Sequence, residues 1–502
     1  MEYLFISDIE GCEKIGRFNK QPQNTTMCDP AFYLTLHEKL VANKNLHVCF
    51  LGDYFDQGQG VINSIIGISF LKSSKEFGDR VHIILGNRDI NKFRIYFEKD
   101  IDFSNVEIKE KMVKIGYSDN VDGAIKKNPE NMMKWMNATM GVVGYDEKIC
   151  KKNQNVNCRH GLNIDPRIDK KEAHNLLLDA FDPSNFVNGN DKKITFEEFN
   201  YTTTHKEYFI TAFKKAICIL YCKGNIVELI KDKKILLSHS GGHTPYIHKK
   251  LPDVTIITGD YFGTYLQYKG NFPPNVSSEN IENKTDIEKS VNYHKKIYSD
   301  FIENFQSIDT NKKEALKKHI QLQCMGMPKV DIGFITPCDK KPAPNFKFDP
   351  KGVPYGDEVK YVAHGHTNFG LSFPIIYKYH NDGPTYIACD TSVGNRPKGE
   401  SFKMNYLSFG ENEEVTMGYK EYVVNGNQDV IKEGITYDPP VIDPLKIIEK
   451  VVNATPHQRG GKSRRKRKSK RRSNKTKRSK KRNTKKRKTI KRRRKSRRNK
   501  KK

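Results

Sequence analysis

Three short apolar runs near the N-terminus constrain the fold most: "EYLFIS" (2–7), "LHVCFL" (46–51) and "RVHIIL" (80–85). Each has the length of a strand and runs straight into a polar, glycine-containing turn: "DIEG", "GDYFDQG" and "GNRD". Helical patterns lie between them, near 30–43 and 60–75. Strand alternating with helix predicts an α/β fold with parallel strands, because each crossover returns the chain to the same edge. Polar groups that follow such strands collect at their carboxyl ends, where open α/β sheets bind ligands.

The pattern changes after residue 104. Residues 105–230 are polar and helix-leaning, with a long helix expected near 203–223, and are read as a mainly helical insertion. Core pattern returns over 231–265 with "KKILLSHSGG" (233–242), and a second polar insertion covers 266–350. Strand signals resume over 351–435, at "VKYVAHGH" (359–366), "TYIACD" (385–390) and "NYLSFG" (405–410). Residues 436–458, with four prolines, read as a linker to a tail at 459–502.

The formal charge of +30 belongs to that tail. It holds 30 Lys and Arg and no Asp or Glu, so the remaining 59 basic residues equal the 59 acidic ones. A segment so charged and so poor in apolar side chains cannot bury a core and is expected to be disordered. Ten cysteines are scattered without a CxxC pair, and Cys218 and Cys222 are expected on one face of a helix. They read as reduced, mostly buried thiols. "MEYLFISD" lacks the basic start of a signal peptide, and no apolar stretch approaches the roughly 20 residues needed to span a bilayer. The expected location is intracellular, in cytoplasm or nucleus, and not secreted.

Five strand ends each carry an oxygen or imidazole group beside glycine. They hold Asp8 and Glu10; Asp53 and Asp56; Asn87, Arg88 and Asp89; His239; and His364, His366 and Asn368. Any one of these is ordinarily a cap or turn residue. Their repetition in order is what points to a metal centre.

The series "D-x-E-G", "G-D-Y-F-D-Q-G", "G-N-R-D", "S-H-S-G-G" and "G-H-T-N" resembles the calcineurin-like metallophosphoesterases. Their usual series is D-x-H, G-D-x-x-D-x-G, G-N-H-D/E, an isolated His before small residues, and G-H-x-H. The resemblance covers 1–95, 233–245 and 359–410. It implies a four-layer sandwich of two mixed β-sheets flanked by helices, with two divalent metal ions between the sheets; the helical insertions and the tail fall outside the resemblance. It also implies that Asp8 binds the first metal, that Asp53 bridges both, and that Asn87, His239 and His366 bind the second. The reaction implied is hydrolysis of a phosphate ester or anhydride by a metal-bridging hydroxide.

Three positions depart from the series. Glu10 and Asn368 stand where the first metal would have histidines, leaving Asp8, Glu10, Asp53 and Asn368 as an all-oxygen set. Oxygen donors favour Mg²⁺ or Mn²⁺, while two imidazoles keep the second site open to Mn, Fe or Zn²⁺. Mn²⁺ is the expected ion. Arg88 replaces the histidine that the resemblance makes a general acid, and Asp56 is its expected ion-pair partner. Arginine stays charged near neutral pH, so it would clamp phosphate rather than deliver a proton. Gln57 stands where the Ser/Thr phosphatase branch has an arginine, leaving Arg88, Arg94 or Arg396 as candidates for holding phosphate.

The tail offers phosphate neutralisation without stacking, through runs such as Arg464, Arg465, Lys466, Arg467, Lys468, Arg471, Arg472 and Arg492, Arg493, Arg494. Nucleic acid is its first expected partner, followed by an anionic membrane surface or acidic protein. It resembles tails of giant DNA virus proteins, which would place the chain in a host cell or virion. Two functions are expected: a metal-dependent phosphoesterase acting on a phosphorylated substrate, or a catalytically degenerate member of that fold that binds nucleic acid through its tail.

Overall fold

The computed structural model describes residues 1–7, 9, 13–15, 22–24, 29–55, 61–100, 105, 131–132, 167–239, 246–247, 254–258, 266–268, 287–307, 358–365, 375–378, 383–389, 402–412, 414–423 and 430–436. The chain divides into the units Met1–Asp443 and Pro444–Lys502, and every described residue belongs to the first. The tail and most of the linker therefore lie outside the described residues.

The three apolar runs form β1 (Glu2–Ile6), β4 (Leu46–Phe50) and β5 (Val81–Ile83), parallel as expected. A hairpin of β2 (Glu13–Ile15) and β3 (Pro22–Asn24) lies between the first two in sequence. Further along follow β6 (Val227–Ile230), β7 (Ile235–Ser238), β8 (Tyr246–Ile247), β9 (Val254–Thr258) and β10 (Leu266–Tyr268). The last are β11 (Tyr361–His364), β12 (Ile375–Lys378), β13 (Thr385–Ala388), β14 (Phe402–Phe409), β15 (Val415–Val423) and β16 (Val430–Thr436).

They make two large mixed sheets, ordered β16-β15-β14-β1-β4-β5 and β12-β13-β11-β7-β6. In the first, β1, β4 and β5 are parallel and β14 joins β1 antiparallel. In the second, β7, β11 and β13 are parallel and form its centre. The class is thus mixed α/β with two mixed sheets and helices. Among the described residues no helix is long and apolar enough to cross a membrane.

Alternation along the strands sorts the side chains. Tyr3 and Phe5 of β1 and Cys49 of β4 share one buried cluster with Ile235 and Leu237 of β7, Ala363 of β11 and Ile387 of β13. The two sheets meet there. The alternate residues, Leu4, Ile6, Val48, Phe50, Val81 and Ile83, fall in a second cluster with the helices.

Helix Pro30–Ala42 starts where the Asp29 carboxylate accepts from the Ala31 N–H at 3.0 Å, with proline in the first turn. It buries Phe32, Tyr33, Leu36 and Leu40, one helical face. Helix Val61–Lys72 crosses it closely, since a Cβ on Gly67 would sit 2.3 Å from the Tyr33 ring. Helix Lys206–Lys223 appears where a long helix was expected, and Cys218 and Cys222 share its face. Directly after it, β6 pairs antiparallel with β7, which ties the helical region to the core through one sheet.

Candidate metal centre

The carboxyl ends of β4 and β5 lie side by side, and two tight loops leave them. Gly52 has φ +92° and Asp53 has φ +56°. The second value is unusual for a residue with a Cβ and marks a backbone held by its surroundings. The loops touch. A Cβ on Gly86 would lie 2.3 Å from the Asp53 carboxylate and 2.5 Å from its nitrogen, and a Cβ on Gly52 would lie 2.6 Å from both the Gly86 nitrogen and the His239 Nδ1. Glycine at 52 and 86 is what lets β4, β5 and the end of β7 converge.

Asp89 clamps the loops together. Its fully buried carboxylate accepts from the N–H groups of Gly86 (2.7 Å), Asp53 (2.9 Å), Tyr54 (2.8 Å) and Phe55 (3.3 Å). Burial and the adjacent Asp53 carboxylate push its pKa up, against the backbone donors of Gly86 and Tyr54 and the charge of His239. The sequence reading named this residue among the strand-end groups but gave it no task of its own, although an acid three positions after Gly86, at the third position of helix Asn87–Asn91, matches capping-box spacing.

Asp53 and His239 face each other, each about 1% exposed, with His239 Nε2 3.2 Å from Asp53 Oδ1. The other ring nitrogen, Nδ1, lies 2.7 Å from the Leu51 carbonyl. A carbonyl can only accept, so Nδ1 carries a proton; in the neutral tautomer the Nε2 lone pair then faces the carboxylate. Two electron-rich atoms at that separation repel unless a proton or a cation lies with them. Adjacent ligands around a cation with bonds of about 2.0–2.2 Å stand roughly 3.0–3.4 Å apart, so this pair fits a divalent ion. The carbonyl-fixed tautomer is the support that metal-binding histidines ordinarily have.

Arg88 adjoins the pair: its backbone N–H donates to Asp53 Oδ1 at 3.1 Å, and its Nε lies 3.2 Å from Asp53 Oδ2. Asp56, its expected partner, lies outside the described residues. Asn87 opens helix Asn87–Asn91, which sets its backbone beside Asp53; its side chain is not described. His364, at the end of β11, is fully buried with Nδ1 2.9 Å from the Gly365 carbonyl, and burial lowers its pKa to about 4. Gly365 donates its N–H to the His239 carbonyl at 2.8 Å, so the ends of β7 and β11 are adjacent.

Arg94 plays a different part from the one considered for it. It is 1% exposed and forks onto Glu98, with Nε–Oε1 2.6 Å and NH2–Oε2 3.0 Å, a buried structural ion pair rather than a phosphate ligand.

The structure thus brings together Asp53, Arg88 and His239, with Asn87 in the same loop. Asp8, Glu10, Asp56, His366, Asn368 and Arg396 lie outside the described residues, as do Arg464, Arg465, Lys466, Arg467, Lys468, Arg471, Arg472, Arg492, Arg493 and Arg494. Among the described residues no group of three or more His, Cys, Asp or Glu is placed to hold a metal. No protein-family model matches the chain, and no match to a characterised protein was found.

Proposed function

We propose that the chain is a metal-dependent phosphoesterase of the calcineurin-like kind, with a four-layer sandwich core. The observation that carries this reading is the Asp53–His239 pair: a buried carboxylate and a tautomer-fixed imidazole 3.2 Å apart at a strained loop between parallel strands. Asp53 and His239 would hold a divalent cation, together with Asn87 and with Asp8, Glu10, His366 and Asn368 as further ligands. When bound, two such ions supply Lewis-acid activation of a phosphate and of the attacking water, and Mn²⁺ is the proposed ion.

The residues of the chain then have distinct tasks. The Leu51 carbonyl holds the His239 proton on Nδ1 and keeps Nε2 for the ion. Asp89 holds the Asp53 backbone in its left-handed conformation. Arg88 keeps a permanent charge beside the site, where it can bind phosphate oxygens and offset charge in the transition state. It cannot protonate a leaving group, so good leaving groups such as aryl phosphates or phosphoanhydrides are the expected substrates. The basic tail would hold the enzyme on nucleic acid or another polyanion.

Hydrolysis of an aryl phosphate in Mn²⁺ tests the reading. The expected result is metal-dependent turnover that Asp53→Asn abolishes; equal rates in the two proteins would overturn it. Arg88→Ala is expected to raise KM more than it lowers kcat, and unchanged kinetics would remove Arg88 from the site. One observation favours a second reading. The Arg88 guanidinium already neutralises Asp53, as in a degenerate site that serves only for binding. Full-length protein that binds nucleic acid with steep salt dependence, yet neither binds Mn²⁺ nor hydrolyses phosphate, would establish that alternative.

A further inference from the structure

Helix Lys206–Lys223 carries two thiols that the proposed chemistry does not use. Cys218 Sγ and Cys222 Sγ lie 3.8 Å apart on successive turns. Room for them is reserved by Gly189, where a Cβ would come within 2.3 Å of Cys222 Sγ and 2.8 Å of Cys218 Sγ. Cys218 is fully buried, while Cys222 is partly exposed and receives a contact at 3.8 Å from Gln306 Nε2. Lys192 and Lys223 stand beside the pair, with Lys223 Nζ 3.3 Å from the Lys192 carbonyl. The hydrogen bond from Cys222 holds the Cys218 thiol below its ordinary value against the effect of burial, and the Lys192 charge helps. Once one proton leaves, the other can be shared across the two close sulfurs, which eases formation of a thiolate, the reactive form of cysteine.

The same helical turn is joined to the loop of the candidate centre. Tyr221, between the two cysteines, donates its hydroxyl to the Asp89 carbonyl at 2.6 Å. Just beyond the helix, Asn225 donates to the Ile83 carbonyl at 2.8 Å, and its own carbonyl accepts from Leu85 at 2.7 Å. These bonds reach β5 and the chain immediately before Gly86.

We propose that Cys218 and Cys222 form a reactive dithiol, a modification site for two-electron thiol oxidants such as hydrogen peroxide, whose closure to a disulfide loosens the 86–92 loop. Proton transfer across the 3.8 Å contact to Cys218 leaves Cys222, the sulfur within reach of solvent, to attack one peroxide oxygen as thiolate; it becomes a sulfenic acid, releasing hydroxide. Cys218 then displaces that oxygen and the Sγ–Sγ bond forms. The two thiols lose two electrons and two protons, and one peroxide becomes two waters. A disulfide needs Cβ atoms about 3.5–4.5 Å apart, whereas residues one helical turn apart hold theirs at about 5–6 Å. Closure therefore deforms the last turn and pulls on Tyr221 and Asn225.

The test treats reduced full-length protein with stoichiometric hydrogen peroxide, blocks remaining thiols, and maps the cysteines by peptide mass. Both sulfurs fall in one tryptic peptide, Ala216–Lys223, expected to be unlabelled and lighter by two hydrogens. Hydrogen exchange of amides 86–92 is expected to quicken about tenfold, the effect of losing roughly one buried hydrogen bond, and to return with reductant. Cys218→Ser and Cys222→Ser should each abolish the response, and either one suffices if the other does not fold. Labelling of both thiols while other cysteines oxidise would overturn the proposal, as would a disulfide that leaves exchange at 86–92 unmoved. Neither readout depends on phosphoesterase activity.

Discussion

The two ends of the β4–β5 pair each hold a carboxylate and imidazoles, but they are built for different ends. At the amino end, Glu228 of β6 accepts from His82 Nδ1 at 3.1 Å, and His82 Nε2 lies 3.1 Å from His47 Nδ1. Because a carboxylate accepts, His82 Nδ1 carries a proton, and in the neutral tautomer Nε2 accepts from His47. The two rings are nearly coplanar, at 20° with centroids 5.4 Å apart, as an in-line hydrogen bond requires. Tyr3 stacks on His47 at 4.6 Å. Every donor there meets an acceptor on ordinary strand backbone. At the carboxyl end, Nε2 of His239 faces a carboxylate oxygen of Asp53, and the backbone beside it is strained. Similar side chains make a structural hydrogen-bond network at one end and the proposed cation-binding pair at the other. What separates them is what faces Nε2 once Nδ1 is protonated: the His47 ring at one end, the Asp53 carboxylate at the other.

The sharpest way to break this contrast is Asp89→Asn. An amide cannot accept from four backbone donors, so a loss of about 3 kcal/mol or more is expected in urea unfolding. A loss under 1 kcal/mol would mean that Asp89 does not clamp the loops. Gly86→Ala comes next, at about 1–3 kcal/mol, because its Cβ must displace Asp53. Gly410→Ala is the control: its nearest neighbour would stand at 3.5 Å, and little change is expected. At the amino end, Glu228→Gln keeps an acceptor and should cost about 1 kcal/mol. Burial alone would raise Glu228, but the hydrogen bond and charge of His82 outweigh it and hold the carboxyl low.

The smallest effect is a pH slope. Burial first, then His82 and Arg80, lower the His47 pKa from 6.5 to about 4. A depressed base takes up its proton more readily when unfolded, so its contribution is present above about 6.5 and is lost as pH falls toward about 4. His47→Gln should flatten the stability–pH curve in that window. An unchanged slope would show that His47 does not titrate through the amino-end network.

Much of this was legible locally. The runs "EYLFIS", "LHVCFL" and "RVHIIL" became parallel strands because short apolar segments ending in glycine turns, with helical patterns between, have few other packings. The strands β15 and β16 were missed, since "VTMGYKEYV" and "VIKEGIT" mix charge into an outer position of a sheet, where pattern is weak. His239 was legible as a candidate because it ends a strand beside glycines. The pairing of Arg88 with Asp53, the clamp of Asp89 and the occupation of Arg94 by Glu98 were not, since each depends on a neighbour that the fold brings in or on the rotamer it selects.

The sequence by itself determined the α/β alternation, the charged tail and which strand ends carry oxygen or imidazole groups, because composition and periodicity are local properties. Only the tertiary structure decided which of those residues meet, which nitrogen of His239 carries its proton, and that the Cys218–Cys222 turn touches the same loop. Those facts depend on atoms tens to hundreds of residues apart in the chain. Their positions follow from two sheets burying a common face, which no local pattern encodes.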